Sequence, residues 1–295
     1  MKFNVLQQWG AFSPNNNTIH KFELDETLTC FFTKVSNELW IASKKVTGSE
    51  KKTVKEQEDW TPSTQRQAAK DEIKEEAHSQ TKVREIIDFD PDLKWSRWAL
   101  RDEKMNIEIT PLFPNMPVVV KPEYQFKLFP EGSADIYVRI PIWIQVKAIS
   151  EGGLKVTEIP SMLLSRTWFG SFLEGELCYW FKTTARRALE EDIFKSHLCV
   201  CPIKIVNSSE EELEIDKLCL RTEQLSMFKN DKSLWSDHMT IEYKGGNNFS
   251  DIIVSGTPPK EAKNAVLAAS PRNPVRKGFA QRTFRLINEL QGKIG

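Results

Sequence analysis

Between Ile136 and Val146 every second residue is apolar: Ile136, Val138, Ile140, Ile142, Ile144 and Val146 alternate with Tyr137, Arg139, Pro141, Trp143 and Gln145. A period of two puts the first set on one face of an extended chain and forms no helical stripe. The run is therefore read as one long strand with a buried face, which requires a sheet and something to cover it. The flanking text has the same character. Met105, Ile107 and Ile109 oppose Asn106, Glu108 and Thr110, while Tyr124, Phe126 and Leu128 oppose Glu123, Gln125 and Lys127. Pro111, Pro114, Pro117 and Pro122 cut the intervening chain into short edge-like pieces. Residues 18–45 read as three strands with turns at Asp25-Glu26 and Ser36-Asn37, and HLCVCPIKIV, LEIDKLCLR, MTIEYK and SDIIVS continue the pattern. Short strands separated by Pro and Gly turns predict antiparallel sandwiches rather than a βαβ sheet.

Three stretches depart from this pattern. Residues 46–85 are mostly Lys, Glu, Gln and Thr, a charged insertion with little to bury, in which Ser63 to Ala77 has the composition of a short helix. Thr184 to Phe194, TARRALEEDIF, reads as a helical connector. Thr257-Pro258-Pro259 opens a further helical segment carrying Ala262, Ala265, Val266 and Ala269, followed by a last stripe of Phe279, Thr283, Leu286, Ile287 and Leu290. The expectation is a mainly β protein of two antiparallel β-sandwich-like units. The first spans residues 1–190 and contains the charged insertion. The second, smaller unit spans 191–295 and carries the C-terminal helical segment.

Leu163 to Lys182, LLSRTWFGSFLEGELCYWFK, reads as a central hairpin. Its loop is punctuated by Gly170 and Gly175, and its second arm is apolar on both faces, with Leu177, Tyr179 and Phe181 on one and Cys178 and Trp180 on the other. Trp168, Phe169 and Phe172 lie in or beside the loop. They either plug the end of a sandwich or anchor a partner. With Arg166, Glu174 and Glu176 around them, these six residues are the candidate binding set, and no residue is assigned a catalytic role. Two carboxylates beside an arginine are compatible with acid–base chemistry, but carboxylates flanking a turn are ordinarily solvated.

Lysine plus arginine equal aspartate plus glutamate at 41 each, so no global field favours polyanions, and no nucleic-acid partner is expected. In the tail, Arg272, Arg276, Lys277, Arg282 and Arg285 with Phe279 and Phe284 read as a docked amphipathic helix whose cations are solvated. The opening MKFNVLQQWGAF lacks an apolar signal-like core, and no window approaches the roughly 20 apolar residues of a membrane span. A cytoplasmic protein without direct membrane insertion follows as the expectation. Five scattered cysteines fit reduced thiols in the core. In HLCVC, His197, Cys199 and Cys201 alternate on one face and offer nitrogen and sulfur ligands of the kind zinc selects. The same face continues into Ile203 and Ile205, and a fourth ligand such as Cys178 or Cys219 is needed. No cofactor is called, and GxSxG, P-loop, HExxH and GxGxxG motifs are absent. The reading is a non-enzymatic binding or scaffold protein with an unidentified protein partner. The alternatives are a metal-dependent hydrolase-type enzyme using the HLCVC face and a cytosolic accessory of a membrane channel.

The stretches SRTWFGSFLEGELCYWFKTTARR, CPIKIVN, KLCLRTEQLSMF and SLW resemble the archaeal and bacterial family called domain of unknown function 432, over roughly Trp95 to the end of the chain. That resemblance implies no catalytic residues, because the family has no assigned activity. It implies a membrane channel protein as one class of partner.

Overall fold

The computed structural model describes residues 2–6, 9–16, 18–45, 86, 89–100, 105–122, 125–149, 152–173, 175–231, 233–245, 249–274 and 281–282. The charged insertion 46–85 and most of the expected last helix lie outside the described residues. Two compact units form, Met1–Ile107 with Ala148–Val156, and Glu108–Lys147 with Thr157–Gly295. Among the described residues no helix is long and apolar enough to cross a membrane.

The first unit contains β1 (Lys2–Leu6), β2 (Gly10–Phe12), β3 (Thr18–Leu24), β4 (Leu28–Val35), β5 (Glu38–Lys45) and β6 (Ser96–Ala99). A five-stranded sheet runs in the order β1-β3-β4-β5-β6, with β1 parallel to β3 and the other pairings antiparallel. Both sequence-predicted turns are present. Asp25 takes φ 47°, and its Oδ1 accepts the Thr27 amide at 2.9 Å, which stabilises the bend. Ser36 takes φ 50° in the two-residue connection between Val35 and Glu38. β4 is buried along almost its whole length because both faces are covered: Phe32 packs on Phe12 and Phe31 on Phe89. Trp40 and Ile86 pack with Val35, and the guanidinium of Arg97 lies 4.0 Å above the Trp40 ring.

The second unit holds most of β7 (Ile107–Leu112), β11 (Trp143–Ala148) and β12 (Leu154–Pro160), together with β8 (Val118–Pro122), β9 (Phe126–Leu128), β10 (Ser133–Pro141), β13 (Ser165–Phe169), β14 (Glu176–Ala185), β15 (Leu198–Asn207), β16 (Leu213–Ile215), β17 (Leu218–Leu220), β18 (Met227–Lys229), β19 (Leu234–Ser236), β20 (Met239–Tyr243), β21 (Phe249–Val254), β22 (Val266–Ala269) and β23 (Gln281–Arg282). Its largest sheet is built on β15, which pairs antiparallel with β10 from Ser133↔Val206 to Pro141↔Leu198 and parallel with β19 and β20. Strands on both sides of residue 190 share this sheet.

All six apolar residues of the alternating run are buried. The single long strand expected there is two, however. Pro141 has no amide to donate, and Ile142 leaves the ladder: its N–H donates to the His197 carbonyl at 3.0 Å while its own carbonyl accepts the Ser161 amide at 3.0 Å. β11 then continues beside β7 and β12 in a different sheet. The alternation survives the bend, so one run of sequence supplies buried faces to two sheets.

The expected helices are not found among the described residues. Thr184 and Ala185 extend β14 and pair with Lys121 and Pro122, and only Glu191–Ile193 forms a single 3₁₀ turn. After Pro259 another 3₁₀ turn, Lys260–Ala262, gives way to β22, which pairs with β18. Gln281–Arg282 pairs with β21 as a strand. In each case strand pairing overrides local helical propensity.

Candidate functional site

β13 and β14 pair antiparallel from Ser165↔Trp180 to Phe169↔Glu176. β14 is interior in the order β13-β14-β8-β17, and β13 forms an edge. Cys178 packs with Val119, Phe169 and Cys219 on one face of the sheet, with Trp180 half-buried against them. On the other face coverage is incomplete, and Leu177 is 44% exposed.

The two loop glycines have different roles. Gly170 takes φ 107°, a conformation that disfavours any side chain. Gly175 instead makes room: a Cβ there would collide with the Trp168 indole nitrogen and the Ser171 carbonyl. Trp168 folds across the loop, and its Nε1–H donates to the Ser171 carbonyl at 2.9 Å, beside the Gly175 amide, which donates to the same oxygen at 2.8 Å. Although 52% exposed, this indole is therefore held in place. Beyond it the tip presents Phe172 and Leu173, 92% and 90% exposed. A cleft of about 410 Å³ opens beside the hairpin between Trp168, Phe169 and Trp180, with Lys217 Nζ 5.8 Å from the centre of the Trp180 ring.

The candidate residues thus divide. Trp168 and Phe172 are exposed at the tip, whereas Phe169 is 4% exposed and belongs to the core. Arg166 is exposed on the edge strand opposite Tyr179. Glu174 lies outside the described residues. Glu176 pairs with Arg221, whose side chain is 11% exposed against 36% for the glutamate.

This ion pair stands over a pair of buried thiols. Cys178 Sγ and Cys219 Sγ are 3.6 Å apart, and Cys219 Sγ is 4.0 Å from Glu176 Oε1. The hydrogen bond with Cys178, followed by burial, pushes the Cys219 thiol well above its ordinary range. Glu176, Cys178 and Cys219 are the one group of three ligand-type side chains that comes together among the described residues. His197, Cys199 and Cys201 are placed differently: both cysteines are buried in β15 opposite Ile140 and Val138, and Cys201 Sγ donates to the Cys199 carbonyl at 3.9 Å.

Arg221 and Glu223 escaped the sequence reading. No local pattern marked them, because Arg221 follows the last residue of β17 and Glu223 is buried in a 3₁₀ turn, Thr222–Gln224. Burial pushes the Glu223 carboxyl from 4.5 to about 7, with Glu176 adding to the rise and Arg221 and Arg272 opposing it. Because the folded state holds this proton more tightly, a penalty builds as pH rises from about 4.5 to about 7 and is constant above. Glu223→Gln is expected to lose that dependence. Melting temperatures of the wild type should fall relative to the variant across this interval, and parallel profiles would show that Glu223 is solvated.

Arg272 also differs from expectation. It is no solvated tail cation: both terminal nitrogens donate to the Glu158 carboxylate at 2.9 Å, and Nε donates to the Phe113 carbonyl at 2.8 Å. Its guanidinium also lies 5.4 Å from the centre of the Trp143 ring.

Compared with models of known protein families, residues 8–288 match the one described as Protein of unknown function (DUF432). No curated protein and no solved structure matches the chain.

Proposed function

Since the chain belongs to the DUF432 family, whose description assigns no activity, we propose on the geometry of the hairpin that it is a binding protein whose β13–β14 tip engages a protein partner. The observation that carries this reading is the exposure of Phe172 and Leu173, 92% and 90%, beside an indole fixed by its own hydrogen bond. Trp168, already fixed, loses little further freedom on docking, and tryptophan is among the residues that supply most of the free energy at interfaces, while Phe172 and Leu173 offer apolar area to bury. The neighbouring edge strand favours a protein as the occupant. β13 pairs with β14 on one side and ends the sheet on the other, so an extended segment of a partner can add to it through main-chain hydrogen bonds while the tip fills an apolar pocket. A membrane channel protein is the finer identification, and it rests on the family resemblance.

Phe172→Ser with Leu173→Ser is expected to melt within about 1 kcal/mol of the wild type, because surface changes of this kind rarely cost more. A photo-crosslinking residue at position 172, used in the native cell, should yield a discrete protein adduct that the same residue at Ile253, an exposed apolar position on another sheet, does not. Equal adducts from both positions, or a strongly destabilised double variant, would retire the reading. An adduct to lipid would replace the protein partner with a membrane surface.

A further inference from the structure

We propose that Glu176, Cys178 and Cys219 form a binding site for a thiolate-preferring divalent metal ion of the zinc class. The three ligand atoms lie within 4.8 Å of one another, with the two sulfurs 3.6 Å apart and Cys219 Sγ 4.0 Å from Glu176 Oε1. Two thiolates at about 2.3 Å from a tetrahedral zinc are about 3.8 Å apart, and a carboxylate oxygen at about 2.0 Å is about 3.5 Å from each sulfur. The sulfur–sulfur separation is thus within about 0.2 Å of the zinc value and the Cys219–Glu176 separation within about 0.5 Å, while the remaining Cys178–Glu176 separation, at most 4.8 Å, closes by rotation of the partly exposed Glu176 side chain. Two sulfurs and one carboxylate oxygen suit zinc better than calcium or magnesium, which take oxygen ligands.

The surroundings fit as well. Two thiolates and a carboxylate carry three negative charges, the ion brings two positive, and Arg221, already paired with Glu176, supplies the remaining one. The thiols are closed off in the core while the Glu176 side chain is 36% exposed, so the ion has a route in and solvent can reach the fourth position. Cys178 is on β14 and Cys219 on β17, the strands flanking β8, so the ion would link two strands that are not themselves paired. Binding converts two S–H groups to thiolates and releases two protons to the buffer, while the ion's charge is unchanged.

The test uses the full chain, reduced with a phosphine and stripped of metal, with Co²⁺ alone as the probe. One equivalent is expected to give the near-ultraviolet sulfur-to-cobalt charge-transfer absorption and the visible bands of a tetrahedral ion. In weak buffer about two protons should be released per ion at neutral pH, and equimolar Zn²⁺ should bleach the bands. Cys178→Ser and Cys219→Ser should each weaken binding by at least about tenfold and diminish the charge-transfer band. Glu176→Gln should weaken binding while the sulfur band persists. The wild-type titration decides the matter even if a cysteine variant fails to fold. Absence of a charge-transfer band at stoichiometric cobalt overturns the site, as does a full-strength band in a folded Cys178→Ser or Cys219→Ser protein.

Discussion

Asn207→Asp is expected to destabilise the second unit by about 3 to 5 kcal/mol, the cost of an uncompensated buried charge. Asn207 is fully buried at the end of β15, and its side chain is a junction. Nδ2 donates to the carbonyls of Leu128, Phe129 and Glu211 at 3.0, 3.1 and 2.8 Å, while Oδ1 accepts from the Ser209 amide at 3.1 Å and the Ser209 hydroxyl at 2.7 Å. An aspartate has the same shape but no Nδ2 donor, so a carboxylate oxygen would face three carbonyls in a site without water access. Urea denaturation at pH 7 should show a lower midpoint at unchanged slope. Acidification should partly rescue the variant, because a carboxyl raised in the folded state stops opposing folding once protonated. A variant as stable as the wild type at pH 7 would mean that the junction is open to solvent.

The second large effect concerns Arg272. Arg272→Ala leaves the Glu158 carboxylate, 11% exposed, without its bidentate partner and removes the donor to the Phe113 carbonyl. Breaking a buried pair from one side typically costs about 3 to 5 kcal/mol, a large part of a domain stability of about 5 to 15. Arg272→Lys keeps the charge but not the planar fork and should fall between alanine and wild type. Combining Arg272→Met with Glu158→Gln should cost less than the two single changes added together, since the charge and its partner leave together. Strict additivity would show that the two side chains do not depend on each other.

What was legible in the sequence was local. The turns at Asp25 and Ser36, the alternation from Ile136 to Val146 and the glycine-bounded aromatic loop each depend on residues a few positions apart, and each is found where the pattern put it. The break at Ile142 was hidden because the alternation runs straight through it. Only Pro141, a residue without an amide, marked the place. The alanine-rich tail after Pro259 and the TARRALEEDIF stretch misled for the opposite reason: their helical propensity is local, but their strand partners, β18 and β8, lie far away in sequence. The candidate site divides along the same line. Trp168 and Phe172 could be picked out as aromatic residues in a loop. The juxtaposition of Cys178 with Cys219, 41 residues later, arises only because β8 brings β14 and β17 to either side of itself, and no spacing within one segment announces it.

The ladder between β10 and β15 also sets a clock for the chain as it is made. Pro141 ends β10, and its register partner Leu198 is 57 residues further on. At about 5 to 20 residues per second, roughly 3 to 11 s of synthesis separate them. In the β3–β4–β5 meander, whose strands are joined by tight turns, even the widest pair, Leu28 with Lys45, is separated by only about 1 to 3 s at the same rates. The isoleucine-rich face of β10 waits longer, and during that interval it is a sticky, unpaired strand on a nascent chain. Slowing translation between these points is therefore expected to increase aggregation before it alters the finished fold.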